Sequence, residues 1–260
     1  MKEDRALTRH VLIGALCLMV VALLAIGPIE QVQWYHDFAD DRTFLGIPNT
    51  LDVLSNLAIL IPGLMGLRML NGDEEWLIWR TVFAGVSLTA LGSVWYHLSP
   101  DDTTMIWDRL PMTVVFAGIT SLAIWDRLDT GLGMRVHLPL VLIGLSSIIL
   151  WVISGDLRPY MFVKHLPIMV VVVLLLTTTS KRYDSIHYTA VLCLFILATA
   201  FELADEAVYD LLGFSGHTIK HILAGGACLG LVWMMVNPLP SSAEEPKEGG
   251  VQKTLLKEEE

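Results

Sequence analysis

Long apolar runs separated by short polar connections dominate the chain, with no two-residue alternation of the kind a barrel strand needs. Runs of roughly the 17 to 25 residues that cross a bilayer fall at 11–29, 50–70, 76–98, 106–125, 136–154, 159–179, 186–208 and 217–239. Lipid offers no partner to an exposed backbone N–H or C=O, so each run is expected to satisfy its own backbone as a helix. The pattern therefore predicts an all-α, polytopic membrane protein. The first run, "VLIGALCLMVVALLAIGPI", follows Lys2, Arg5 and Arg9 and precedes no A-x-A cleavage pattern, so residues 1–30 read as an uncleaved signal anchor. A seven-helix core over 31–239 and a charged, solvated tail over 240–260 complete the organisation.

Composition agrees: 54% of the residues are hydrophobic. The net charge of −10 leaves no basic stripe to neutralise phosphates, which argues against a nucleic-acid partner. If the helices alternate, twelve Lys and Arg residues fall on one side and five on the other (Arg42, Arg109, Arg158, Lys164, Lys220). That imbalance predicts cytoplasmic termini. Cys17, Cys193 and Cys228 all lie within predicted spans without ligand-like spacing and read as packing residues. No internal repeat suggests a transporter built from inverted halves.

The alternation brings ionisable residues to one level. His217 and His221 in "GHTIKH" are four apart and share a helix face at the start of the last span. His97 closes the third span in "GSVWYHLSP", one turn after Ser93, and Asp108 opens the fourth in "MIWDRLPM". Three imidazoles suit a zinc site that keeps one position open. Glu202, Asp205 and Glu206 end the seventh span at the same side, as supporting groups facing Lys164 or a wet cavity, while Lys164 and His165 open the sixth. His36, His137 and His187 fall at span boundaries and read as interfacial. Trp34, Tyr35, Trp95, Tyr96 and Trp107 read as interface anchors.

Taken in this order, "SVWYH", "WDRLPM" and "HTIKH" resemble the motifs of the CREST superfamily of membrane hydrolases and receptors. Within it, "DVLSNLAILIPGLMGL" and "DRLPM" look like stretches of the alkaline ceramidases, and the resemblance covers roughly 34–237. It implies a seven-helix core, here preceded by one extra helix, with zinc on His97, His217 and His221. Asp108 would lie beside the metal's water, and Ser93 beside it would orient the site or donate to a developing oxyanion; the sequence does not separate those roles. The activity implied is cleavage of a ceramide-like membrane lipid at its amide bond, on the extracytoplasmic side. The family's early calcium motif, W-C-E-x-N followed by another Glu, is absent. Asp37, Asp40, Asp41, Asn49 and Asp52 instead offer hard oxygen donors of the type Ca2+ takes. Two alternatives come from other classes. One is a receptor-like seven-helix protein with a structural zinc; the other is an ion conductor using Glu202, Asp205, Lys164 and His165, whose acids cluster at one end.

Overall fold

The computed structural model describes residues 2–70, 72 and 75–240, and the expected tail beyond them lies outside the described residues. Among the described residues ten α-helices follow one another: α1 (Lys2–Ile26), α2 (Thr50–Ser55), α3 (Leu57–Arg68), α4 (Trp76–Leu98), α5 (Asp102–Arg127), α6 (Thr130–Ser154), α7 (Arg158–Thr177), α8 (Ser185–Leu203), α9 (Asp205–Leu212) and α10 (Gly216–Val236). Seven stretches among the described residues are long and apolar enough to cross a membrane: α1, α2 with α3, α4, α6, α7, α8 and α10. The protein is thus an all-α, multi-pass membrane protein.

The expected eighth span, α5, has the length but not the hydropathy, because it carries Asp102, Asp108, Arg109, Asp126 and Arg127. It packs on α4, α6 and α7 and buries much of its surface there. Its 26 residues reach about 39 Å at 1.5 Å per residue. Asp126 and Arg127, both buried, meet partners at one end of the bundle. Asp126 accepts from Ser180 Oγ (2.8 Å), the Arg182 N–H (2.7 Å) and Tyr188 OH (3.2 Å). Arg127 donates to the Thr178 carbonyl (3.0 Å) and Ser185 Oγ (3.1 Å). Buried Glu75 completes this end, accepting from Arg182 Nε (2.8 Å) and Tyr183 OH (2.5 Å).

Two spans depart from the sequence expectation. The run 50–70 breaks at Asn56, whose side chain donates to the Asp52 carbonyl (2.9 Å), so two helices replace one. The run 186–208 stops at Leu203, and α9 folds as a separate short helix before α10. His137 also departs from its expected boundary position. It is buried in α6 and bonds Ser121 of α5 (3.1 Å) and Thr81 of α4 (3.0 Å), tying three helices together. A histidine side chain serves here because its two ring nitrogens can meet two hydroxyls at once.

Helix α1 packs mainly along α7. The segment after it is pinned to the α6–α7 connection, where the Ile29 N–H donates to Asp156 (3.1 Å) and the Leu157 N–H to the Ile29 carbonyl (2.7 Å). Arg158 hydrogen-bonds the same carboxylate (2.8 Å) and holds the Asp156 carboxyl down at about 2.

Close helix contact sets the site geometry. Pro111 lacks the N–H that would bond the Trp107 carbonyl one turn back. Helix α4 approaches that carbonyl through Gly92, where an added Cβ would lie 1.9 Å from the Trp107 oxygen. Little hydrophobic force drives helices together within lipid, so such small-residue contacts carry the association. Gly92→Ala is expected to lower stability by about 1–3 kcal/mol, as overpacking does. Gly226→Ala is expected to be neutral or stabilising, because its Cβ would meet only Leu194 Cδ1 at 3.8 Å. Thermal unfolding in detergent checks the contrast.

Candidate metal centre

His97 occupies the last turn of α4. The carbonyl oxygens of that turn lack intrahelical partners, and the His97 carbonyl accepts instead from Asn49 Nδ2 (2.8 Å). Asn49 is held in the left-handed region (φ 45°) that Asn tolerates better than most residues. His217 and His221 sit in the first two turns of α10, which Ser215 caps by accepting the Thr218 N–H (2.9 Å). The start of α10 lies against the end of α8 through Gly216, where a Cβ would fall 2.2 Å from the Phe201 carbonyl. Asp205 fixes the same corner, accepting the His217 N–H (2.9 Å) and the Ala39 N–H (3.1 Å).

These supports bring three imidazoles to one point. Ligand atoms of His97, His217 and His221 lie within 4.8 Å of one another, close enough to share one ion. Their side chains are buried, with residue exposures of 0, 4 and 2%. Both ring nitrogens of His97 are buried without a hydrogen-bond partner. An unpaired buried polar atom costs about 1–3 kcal/mol, and a divalent metal is the partner that three converging imidazoles suit. His221 Nδ1 meets Ser55 Oγ (2.7 Å), which leaves Nε2 to face the other rings. Such an outer hydrogen bond fixes the tautomer of a metal-ligating histidine. The break at Asn56 is what sets Ser55 in place. Phe38 covers the group, its ring centroid 4.6 Å from His97 and 5.0 Å from His217.

Ser93 and Asp108, named from sequence, both line the cavity that begins at His217 and His221. The two side chains are near neighbours across the α4–α5 contact. The cavity, about 1050 Å³, continues between α5, α7, α8 and α10 to Tyr188 and Met234 near the other end. From His217 to Met234 along α10 is about 25 Å at 1.5 Å per residue, most of the hydrocarbon thickness of a bilayer, about 30 Å.

Other expected groups go elsewhere. Glu202 lines the cavity, pairs directly with Lys220 (2.6 Å) and accepts from Tyr35 OH (2.6 Å), with the Lys164 charge acting on it from farther off. Lys220 Nζ also lies 3.3 Å from His217 Nε2. Glu206 is exposed. The calcium donors do not converge as one set. Arg42 takes Asp40 in an ion pair (2.6 Å) that holds its carboxyl below the usual range. Asn49 serves His97, and Asp37 and Asp41 are exposed. Asp52 accepts from Ser215 Oγ (2.9 Å) and Thr218 Oγ1 (2.5 Å). Tyr35 and Tyr96 are not surface anchors: Tyr35 is tied to Glu202, and Tyr96 is buried with its OH 2.9 Å from His36 Nδ1. Trp34, Trp95 and Trp107 stay exposed at that end.

Sequence reading passed over Ser55, and it counted Arg109 only as a loop charge. Ser55 lies next to Asn56 in "LSNL", and only the helix break shows its use. Comparison with protein-family models and with curated proteins gives no match. The site is thus a buried trihistidine group able to chelate a divalent metal in a helical membrane protein.

Purified protein is expected to hold about one zinc per chain, and His217→Ala to lose it. Ser55→Ala is expected to keep the site but bind zinc roughly 10–100-fold more weakly. Elemental analysis and chelator competition measure both.

Proposed function

We propose that the protein is a zinc-dependent amide hydrolase that cleaves a ceramide-like lipid within the membrane, releasing a fatty acid and a long-chain base. The observation that carries this reading is the placement of Ser93 and Asp108 on the wall of the same cavity as His217 and His221. The order of these residues along the chain also supports the resemblance to the alkaline ceramidases. When bound, zinc supplies a Lewis acid for the amide carbonyl and lowers the pKa of its water towards neutrality.

The chain's own residues do the rest. The Asp108 carboxylate takes a proton from the attacking water as its oxygen bonds to the carbonyl carbon. It returns that proton to the amine nitrogen as the C–N bond breaks. Ser93 holds the carboxylate at that position. The apolar length of the cavity excludes water around the acyl chain, which strengthens each polar interaction at the reacting end. A receptor with a structural metal would not need a carboxyl group on the wall of the cavity that begins at its ligands, so Asp108 favours the hydrolase. The charge asymmetry of the loops supports placing the histidine end on the extracytoplasmic side, with cytoplasmic termini.

Zinc-loaded protein is expected to release fatty acid from a ceramide. Asp108→Asn should lower kcat by roughly 10²–10⁴ with the zinc content unchanged. Failure of the zinc-loaded wild type to cleave any lipid amide, across pH and headgroup, would overturn the reading. Recovery of an intact bound lipid in that case would favour the receptor.

A further inference from the structure

Arg109 is 6% exposed, yet its guanidinium makes no hydrogen bond or ion pair with any described residue, and Nη1 is buried without a partner. Three aromatic rings hold it instead. Its Cζ lies 5.5 Å from the Tyr35 centroid, 5.0 Å from Trp151 and 5.1 Å from Tyr160. Cation–π contacts of this kind position a cation without using its N–H donors, which for a guanidinium lie in its own plane and number five. A buried charge whose hydrogen bonds remain unmade is unfavourable.

Lys164 follows Tyr160 by one turn of α7, so both residues lie on one face. Its Nζ makes no hydrogen bond and no ion pair within 4 Å among the described residues; the Glu202 carboxylate, already bonded to Lys220 and Tyr35, acts on it only from farther off. Both cations line the cavity, on α5 and α7, whereas the histidines come from α4 and α10. The third cation of the cavity, Lys220, is already paired with Glu202 at 2.6 Å. Asp108 is the neighbour of Arg109 in sequence and makes no ion pair with it, and Asp205 accepts two backbone N–H groups. The remaining acids along the cavity, Asp37, Glu206 and Asp210, are exposed at its rim, where water screens them. Two cations thus face the interior with their donors unused.

We propose that Arg109 and Lys164 form an oxyanion subsite, and that the lipid taken into the cavity carries a carboxylate, phosphate or sulfonate beside its amide. The planar fork of Arg109 suits two oxygens of such a group, and Lys164 adds a point charge from the next turn. The inference rests on the amide-hydrolase reading for the position of the scissile bond, but binding of the acidic group does not depend on turnover.

Its test is equilibrium binding of three probes of one chain length, dodecyl phosphate, dodecanoate and dodecanol, to the full chain in neutral detergent, with and without zinc. At least one acidic probe is expected to bind roughly tenfold more tightly than dodecanol, whether or not zinc is present. Lys164→Gln should cut that preference several-fold, and Arg109→Gln should remove it. Lys164 is only partly buried, so its variant remains informative if the caged arginine proves necessary for folding. Tighter phosphate binding would identify a phosphate as the group beside the amide, and tighter carboxylate binding a carboxylate there. Equal affinity for all three probes, a preference that requires zinc, or one that survives Lys164→Gln unchanged would overturn the subsite. Hydrolysis without any acidic preference would overturn the subsite alone, and the preference without hydrolysis would overturn the amidase reading alone.

Discussion

A charged or hydrogen-bonding side chain facing hydrocarbon must find its partner inside the protein, and the fold follows from how α5 meets that demand. Its two pairs of adjacent charges stand at opposite ends of one 26-residue helix. Asp126 and Arg127 hydrogen-bond the α7–α8 connection and the start of α8, which fixes one end of the bundle. Asp108 and Arg109 line the cavity instead, the arginine held among aromatic rings. The same residue types therefore form a clamp at one end and a cavity wall at the other.

The histidine group shows a similar division between ligands and supports. No covalent or sequence-local constraint joins α4 to α10 at this point. Asn49 on the α4 carbonyl, Ser55 on the His221 ring and Asp205 on the α10 amide hold the two helix ends in register. Each uses a backbone or ring group that would otherwise lack a partner, so metal geometry and helix capping are satisfied together.

Much of this was legible in the chain. Span positions follow from apolar run length, and the convergence of His97, His217 and His221 follows from counting alternate helices. What periodicity could not give was local. Asn56 lies in a run as apolar as its neighbours, and the break depends on its side chain capturing a carbonyl one turn back. His137 looked like a boundary residue because the span was drawn from 136, whereas α6 begins at Thr130 and carries it into the core. Asn49 and Asp52 read as calcium donors because composition records oxygen atoms but not their orientation. The Arg109 cage joins α5, α6, α7 and the segment before α2, a combination no local pattern encodes.

Helices α7 and α8 follow one another in the chain yet touch only briefly, and the cavity runs between them. On the proposed hydrolase reading, a lipid that enters between these two helices comes from a two-dimensional solvent. Affinity for such a site is set by mole fraction in the membrane, and diluting the lipid with inert detergent or phospholipid lowers occupancy even when its bulk amount is unchanged.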